Sequence, residues 1–394
     1  MNFSNHISSL KPSATLALND KVNRMIAQGQ DIINLTVGEL NYYEPEIARE
    51  RAKEAIDKHF THYTDSDGIY DLRQAISEKL RNENFLNYKP EQITVSAGGK
   101  QALFNCFFTL IDHGDEVIVP TPCWSTYLTQ IKLCGGIPAT ISTDEKTNFK
   151  ITPVMLENAI TPRTKLLLLN SPSNPTGAAY SENELKELSG IIRKHKLLVI
   201  SYEIYERLVY VSHYVSVGTV SEYLQENTIT INGFSKSFGM TGWRIGYSAS
   251  PIAIAEKISS LQSQVTANIS SISQIAALAA INHFNPENKV NLQENRDYLY
   301  KFINERSPLS VPNLPEGAFY LFPNISAVVG KSFKGKMIKN SSELCSLLLE
   351  NAQIAVTAGD AFVAPNNIRI SYAKSMNEIV RAAQKMARFF AQLS

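Results

Sequence analysis

The sequence lacks several features that mark particular classes of protein. Its four cysteines form no C-x-x-C pair and are too few to staple 394 residues, so a reducing compartment suits them. No stretch approaches the roughly 20 apolar residues of a membrane span, and the N-terminal segment has no uninterrupted apolar core typical of a signal peptide. Lys plus Arg number 38 against 37 for Asp plus Glu, which leaves no field to attract nucleic acid or an anionic membrane. We therefore expect a cytoplasmic protein that binds neither nucleic acid nor membrane.

The sequence also offers no convincing metal site. His59 and His62 are three residues apart and would share one face of a helix, but no third ligand motif lies nearby. Histidines on the surface or in packing contacts explain the pair better, so we predict no metal.

Short apolar runs bounded by turn residues alternate with segments of helical period, and one such segment begins with Ser181 and Glu184 as a capping box. Continuous rather than alternating apolar runs indicate strands that are covered on both faces, hence an α/β fold with a mainly parallel sheet between helices. Ligands bind beyond the carboxyl ends of such strands. Each run ends in an unusual polar or Gly-rich segment, so we expect the ends of five strands to meet at one crevice. The runs are 92–98, 115–122, 165–177, 197–205 and 227–236.

Three strand ends contain candidate functional residues. Gly98 and Gly99 lie between a strand and a helix start, where backbone N–H groups can bind an anion, although an ordinary turn explains them equally well. Lys236 follows an apolar strand in a Gly-rich, aromatic setting, where desolvation would lower its pKa and supply a nucleophilic amine. Arg244 lies in "GWRIGY", a context too apolar for an unpaired guanidinium, so we expect an anionic partner such as a phosphate.

Five motifs carry a family resemblance. In order along the chain they are "YTDSDGIYDLRQAI", "VSAGGKQAL", "NSPSNPTG", "GFSKSFGMTGWRIGY" and "IRISYA". With them the chain resembles the class I aminotransferases of the pyridoxal-phosphate fold-type I superfamily, nearest to the bacterial aspartate aminotransferase branch. The match runs from "LKPSATLALNDKV" to "IRISYAKS" and so covers nearly the whole chain. The resemblance implies an N-terminal arm with part of a small domain (1–45), a large cofactor-binding domain (46–285) and a small α+β C-terminal domain (286–394).

The resemblance also implies roles for particular residues. Lys236 stands where the family forms an aldimine with pyridoxal phosphate and moves the proton between the substrate Cα and the cofactor C4′. Arg244 and the amides near Gly99 match the phosphate cradle, and Tyr63 matches a residue that reaches the phosphate of the neighbouring subunit in a homodimer. The residues implied to bind the cofactor are Gly98, Gly99, Lys100, Trp124, Asn174, Tyr205, Ser235, Lys236, Arg244 and the partner's Tyr63. Those implied to bind an amino acid or 2-oxo acid substrate are Gly38, Trp124, Asn174 and Arg369.

The physical setting of three of these residues agrees with the implied roles. Arg369 lies in an otherwise apolar strand, "NIRIS", and a planar guanidinium suits a substrate carboxylate, although a structural salt bridge is the other explanation. Trp124 follows a strand end at "PTPCW", which favours stacking on a ligand over core packing. Asn174 lies between Pro172 and Pro175, in a loop rigid enough to position an amide or simply to form a turn.

The chain departs from the family at the end of the run "LLVISYEIY". The family reads Asp-x-x-Tyr there, and that Asp pairs with the pyridine nitrogen of the cofactor. Here Tyr202 occupies the Asp position and Tyr205 is retained. A phenol with a reference pKa near 10 is neutral, so it can donate a hydrogen bond but supplies no counter-charge. We therefore assign Tyr202 to the catalytic site as an atypical member.

Three explanations of the Tyr remain open. The enzyme is an aminotransferase that tolerates or compensates the change, for instance through Glu203, although strand alternation should turn Glu203 to the other face. Otherwise the chain catalyses another pyridoxal-phosphate reaction, such as racemisation or elimination, or it is a weakly active paralogue that mainly binds the cofactor. We favour the aminotransferase, attenuated at Tyr202, because Lys236 and Arg369 are both retained. Aspartate, glutamate and aromatic substrates all remain possible, since Tyr42 and Tyr43 in "GELNYYEP" alter the segment beside Gly38.

Overall fold

The computed structural model describes residues 3–8, 10, 12–211 and 213–394. The predicted N-terminal arm (1–45) includes residues 1, 2, 9 and 11, which lie outside the described residues, and "LKPSATLALNDKV" likewise contains one of them. No helix within the described ranges is long and apolar enough to cross a bilayer.

The chain alternates helices and strands over most of its length. In the described residues the α-helices are α1 (Asn5–Ser8), α2 (Ala14–Ala27), α3 (Glu46–Asp57), α4 (Tyr70–Asn84), α5 (Gly99–Leu110), α6 (Thr126–Leu133), α7 (Pro153–Ala159), α8 (Glu182–Lys194), α9 (Glu222–Asn227), α10 (Ile252–Val265), α11 (Ser271–Ala280), α12 (Pro286–Arg306), α13 (Ser341–Ala352) and α14 (Met376–Phe390). The predicted capping box of α8 is confirmed, because the Ser181 hydroxyl and the Glu184 carboxylate each accept from the other's backbone N–H.

The strands form one large sheet and several short pairings. They are β1 (Ile33–Asn34), β2 (Ile93–Ser96), β3 (Glu116–Thr121), β4 (Ile137–Ser142), β5 (Thr164–Asn170), β6 (Leu198–Tyr202), β7 (Thr228–Gly233), β8 (Gly246–Ala249), β9 (Tyr320–Leu321), β10 (Ser332–Phe333), β11 (Lys336–Met337), β12 (Ile354–Ala355), β13 (Thr357–Ala358) and β14 (Ile368–Ser371).

The large sheet has the order β2-β8-β7-β6-β5-β3-β4. Strand β8 runs antiparallel to both of its neighbours, and the other strands are mutually parallel. The predicted mainly parallel sheet is therefore confirmed, and the five predicted runs supply β2, β3, β5, β6 and β7. Their carboxyl ends lie at the same edge of the sheet, as such a topology requires.

Two smaller sheets bring the chain ends to this edge. Strand β1 pairs in parallel with β12, and β14 lies between β13 and β9 in an antiparallel sheet. The backbone of Leu35 then bridges the two sheets, because its N–H donates to Ala355 O (2.8 Å) and its carbonyl accepts from Ser371 N–H (2.9 Å). The segment that follows β1 is thereby fixed beside β14. Where the chain divides into domains stays a prediction.

Beneath the end of β6, on the side away from the crevice, a buried polar cluster fixes the following turn. The Lys79 ammonium of α4 pairs with the Glu206 carboxylate, and the Asn84 amide donates to the same carboxylate at 2.6 Å. All three side chains are buried. A buried ion pair is stable only with good geometry and further hydrogen bonds, and this cluster supplies both.

Candidate active site

A cavity of about 480 Å³ opens at the carboxyl ends of the central strands. The segment 36–39, strand β14 and residues of α2 close it from the opposite side. Most of the residues predicted for the site line this cavity: Gly38, Gly99, Lys100, Trp124, Asn174, Tyr202, Tyr205, Ser235, Lys236, Arg244 and Arg369. Gly98 is adjacent to them and contacts Arg244. The predicted convergence of strand ends thus corresponds to a single concave site.

Lys236 lies just beyond β7 with its ammonium inside the cavity, where it donates a hydrogen bond to Gly38 O. The side chain as a whole is half-buried, but its amine end is desolvated, and this burial lowers the pKa to about 8. Nearby Arg369 and Arg244 act in the same direction, whereas the Glu39 carboxylate opposes them. A lysine with such a pKa offers a substantial neutral fraction near neutral pH, as a nucleophile or proton acceptor needs.

The backbone at the start of α5 forms a close cradle with Arg244. Gly98 has φ +81°, a conformation that favours glycine, and a Cβ added to it would clash with the Arg244 guanidinium. The Arg244 guanidinium donates to Thr241 O (2.8 Å) and to Ala97 O (3.2 Å), and it pairs with no carboxylate in the described residues. A guanidinium without a carboxylate partner, beside the N-terminus of a 12-residue helix such as α5, is suited to an anion.

The expectation that Arg244 lies in an apolar, desolvated context is wrong. Its side chain is exposed towards the cavity, because the backbone has φ +56° there and turns the residue out of the apolar stretch around it. Water therefore solvates the guanidinium, and burial does not require an anionic partner. The argument for an anion at Arg244 now depends on its position beside the glycine cradle.

Arg369 is the opposite case, since its side chain is only 3 % exposed. Nη1 donates to Asn174 Oδ1 (2.8 Å), Nη2 donates to Thr36 O (2.6 Å), and Nε has no partner. The guanidinium lies between the rings of Tyr320 and Phe362, 4.4 and 4.7 Å from their centroids. Burial lowers the pKa of Arg369, and no carboxylate pairs with it in the described residues. The structure therefore gives no support to a structural salt bridge here.

Aromatic residues form the walls of the cavity. Trp124 is half-buried at the end of β3, with the Lys100 ammonium 4.6 Å from its ring centroid. The hydroxyls of Tyr205 and Tyr320 are hydrogen-bonded at 3.1 Å, and burial raises the pKa of both well into the range where they stay neutral. Ser235 is buried beside Lys236. These positions agree with ring stacking on Trp124 and hydrogen bonding from Tyr205.

Tyr202 ends β6 and lines the cavity with a side chain that is 7 % exposed. Its ring packs edge-on against Tyr127, with centroids 5.8 Å apart. Burial raises its pKa above the ordinary value, so the phenol is neutral. The Asn170 side chain fixes this strand end, because its amide donates to Tyr202 O (2.9 Å) while its oxygen accepts from Asn174 N–H (3.0 Å).

Glu203 points to the opposite face, as strand alternation predicts. Its carboxylate accepts hydrogen bonds from Ser201 Oγ and Ser216 Oγ, both at 2.7 Å, and from Val217 N–H at 3.2 Å. Burial raises the pKa of Glu203 to about 7, and the Glu206 charge adds to this. Three donors hold the carboxylate behind the strand, so the geometry does not support compensation of Tyr202 by Glu203.

Several residues of the site were missed in the sequence. Tyr320 lies under Arg369 and against Gly38, where a Cβ would be 2.7 Å from the tyrosine hydroxyl, and Thr36 supplies a carbonyl to Arg369. Four residues of the N-terminal region also line the cavity, namely Ser13, Thr15, Leu16 and Asn19. Tyr320 stands in a short apolar run without a motif, and contacts between residues some 300 positions apart leave no local signal.

Two tyrosines named in the sequence analysis, Tyr63 and Tyr43, do not line the cavity. Tyr63 is 88 % exposed. Tyr43 is also exposed (84 %), whereas the Tyr42 hydroxyl donates to the Lys236 carbonyl at 2.8 Å. The altered segment beside Gly38 therefore supports the backbone of the lysine. No cluster in the described part of the chain offers three metal-ligating side chains.

The cavity is strongly positive. Among its described lining residues Lys100, Lys236, Arg244 and Arg369 are cationic, and Glu39 alone is acidic. Such a site suits a ligand with separate anionic groups. The desolvated amine, the glycine cradle with its free guanidinium and the unpaired Nε of Arg369 fit a phosphorylated aldehyde cofactor together with a carboxylate substrate. A class of protein follows from this fold and site, the pyridoxal-phosphate fold-type I transferases.

The chain belongs to the aminotransferase class I and II family, whose model matches residues 30–386. It is 41 % identical over 397 aligned residues to the aspartate/prephenate aminotransferase of Cereibacter sphaeroides and 39 % identical over 396 to the aspartate aminotransferase of Bacillus subtilis, with 99 % of each chain covered. The aspartate aminotransferase structure from Rhizobium meliloti matches with a TM-score of 0.95 at 38 % identity over 100 % of both chains. That of Thermus thermophilus with maleate matches with 0.92 at 36 % identity over 99 and 100 %. The expected fold and an aminotransferase activity are confirmed.

The lowered pKa of Lys236 predicts how the reactivity of its amine changes with pH. The rate at which added pyridoxal phosphate attaches covalently to the chain should rise about tenfold per pH unit below pH 8 and level off above it, because the amine is half neutral at pH 8 and mostly neutral above it. Stopped-flow absorbance from pH 6 to pH 10 measures it, after correction for ionisation of the free cofactor. A rate that climbs unchanged past pH 9 would show an ordinary lysine pKa. Lys236→Ala, which removes the amine, is the control.

Proposed function

We propose that the chain uses pyridoxal phosphate to move an amino group between an L-amino acid of the aspartate, glutamate or aromatic type and a 2-oxo acid. The observation that carries this proposal is that Lys236 and Arg369 both donate hydrogen bonds to the backbone of one short segment, residues 36–38. Lys236 Nζ donates to Gly38 O, and Arg369 Nη2 donates to Thr36 O. Thr36 and Gly38 are only two residues apart, so their carbonyls hold the amine and the guanidinium at neighbouring places in the cavity, as one α-amino acid would require.

Each residue then has a role in binding the ligands or in moving a proton. Arg369 binds the α-carboxylate through its unpaired Nε, and Asn174 holds the guanidinium in the plane that this contact needs. Pyridoxal phosphate, when bound, withdraws the electron pair that the substrate Cα–H bond releases. Lys236 accepts and returns the proton at Cα, for which its pKa of about 8 is well matched. Trp124 would stack on the ring, and Tyr205 would donate to its phenolic oxygen.

Charge and shape support the substrate class. Lys100 extends into the cavity over Trp124, and its pKa is lowered by burial and by Arg244, as for a cation that lacks an anion. A distal carboxylate would supply that anion. The relatives are named aspartate and aspartate/prephenate aminotransferases, and one was solved with maleate, a dicarboxylate. Aromatic walls at Trp124 and Tyr320 would accept an aromatic side chain as well.

The proposal is tested by the absorbance of the purified protein after loading with pyridoxal phosphate. Aspartate, glutamate or phenylalanine should convert the yellow lysine-bound form to the pyridoxamine form, and a 2-oxo acid should restore it. Lys236→Ala should show neither change, because the covalent attachment is lost. Colour without any shift across the amino acids would favour another reaction or a binding protein, and a protein that never becomes yellow would refute both enzyme hypotheses.

A homodimer with shared sites is part of the proposal. Tyr63 is 88 % exposed, and nearby Phe60 and Tyr70 are exposed by 40 and 51 %. Exposed aromatic residues this close in the sequence are consistent with a protein interface. We expect light scattering to give the mass of two chains, and Tyr63→Ala to weaken cofactor binding without dissociating the dimer. A monomer that binds the cofactor with full affinity would contradict this.

Tyr202→Asp tests whether the phenol attenuates the enzyme. A carboxylate at the end of β6 would keep the ring nitrogen protonated, so the half-transamination rate should rise about ten- to a thousandfold. Single-turnover absorbance with aspartate measures it. Glu203→Gln serves as the control, because its carboxylate lies behind the strand and its loss should leave the cofactor spectrum unchanged. An unchanged or lower rate in Tyr202→Asp would show that the Tyr is adapted to a different task.

A further inference from the structure

We propose that the Tyr202 hydroxyl donates a hydrogen bond to the phosphate group of the cofactor at the start of α5, and not to the ring nitrogen. Tyr202 would then be a phosphate-binding residue at a position where the family has a partner for the ring. The inference rests on the proposed function, since it takes pyridoxal phosphate as the ligand.

The direction of the Tyr202 side chain is the first argument. A Cβ added to Gly99 would lie 3.0 Å from Tyr202 Oη and 3.4 Å from Cε2 and Cζ. The far end of the phenol thus lies against the first residue of α5, whose N–H groups form the positive end of the helix. A tyrosine side chain reaches about 3 Å further from the same backbone position than an aspartate side chain, so it extends past the point where an Asp would end.

The second argument is that this hydroxyl lacks a partner. Tyr202 is 7 % exposed, yet its Oη makes no hydrogen bond to any of the described residues. Other buried phenols in the chain are paired, for example Tyr88 with Thr228 O at 2.9 Å and Tyr205 with Tyr320 at 3.1 Å. The Tyr202 Oη is not among the fully buried, unpaired side-chain atoms of the described residues, so this oxygen opens into the cavity. Because Tyr202 lines the cavity, its partner is expected to come from a ligand.

The third argument concerns charge. Burial raises the pKa of Tyr202, so it keeps its proton and acts as a donor, and the nearby Arg244 guanidinium already favours an anion at this place. A phosphate oxygen accepts from a neutral phenol, and such charge-assisted bonds are short and strong. A protonated ring nitrogen is stabilised by a partner with negative charge, which a neutral phenol does not supply.

The test separates the phosphate from the ring by comparing two ligands. The full-length chain, freed of cofactor, is titrated with pyridoxal phosphate and with pyridoxal, which has the same ring and aldehyde but no phosphate. Tyr202→Phe should weaken the affinity for pyridoxal phosphate about tenfold or more, as for a lost hydrogen bond to a charged group. The affinity for pyridoxal should change less than about twofold. Inorganic phosphate should also become a weaker competitor of pyridoxal phosphate in Tyr202→Phe.

Tyr88→Phe is the matched control, because it removes a buried hydroxyl that lies outside the cavity. It should leave both affinities unchanged, and denaturant unfolding of each variant checks that the fold is retained. Equal losses for the two ligands in Tyr202→Phe would assign the phenol to the ring and overturn the inference, as would no loss for either. Wild-type protein that attaches neither ligand at Lys236 would instead refute the proposed function.

Discussion

Arg369 is a buried guanidinium that has no acidic partner among the described residues, and much of the site is arranged around it. Removing such a charge from water costs several kcal/mol unless hydrogen bonds and an anion replace the lost solvation. Two carbonyl-type acceptors and two aromatic faces supply part of this, at Asn174, Thr36, Tyr320 and Phe362. The free Nε shows that the solvation is incomplete. A carboxylate ligand would complete it, which links the stability of this region to substrate binding.

The parallel sheet explains why the other functional residues of the cavity lie close to Arg369. Carboxyl ends of parallel strands share one edge, so the residues after β2, β3, β5, β6 and β7 meet although up to 140 positions separate them. The pairing of β1 with β12 then brings residues 36–38 over this edge. Their carbonyls contact Lys236 and Arg369, and the spacing of the two cations is therefore set by the backbone.

The sequence was sufficient to locate five of the seven strands in the large sheet, whereas the antiparallel strand β8 was not predicted. Continuous apolar runs have a clear physical cause, burial on both faces, and they located β2, β3, β5, β6 and β7. The edge strand β4 was missed because it contains Pro138 and is largely exposed, so it lacks that pattern. The exposure of Arg244 depends on one positive φ, and the role of Tyr320 depends on a contact with Arg369 across the fold. Neither has a signal in neighbouring residues.

Tyr202 shows how a site can change while the fold is kept. Its backbone pairs within the sheet between Asn170 and Ile231, and these contacts do not depend on the side chain. The phenol packs against Tyr127 on the cavity side, while Glu203 keeps its three donors behind the strand. Replacing a carboxylate by a phenol here removes a negative charge from a cavity with four cations and one acid. If the cofactor binds as proposed, anionic ligands would be held more strongly and a protonated ring would lose its counter-charge, so tighter binding and slower chemistry would have the same electrostatic cause.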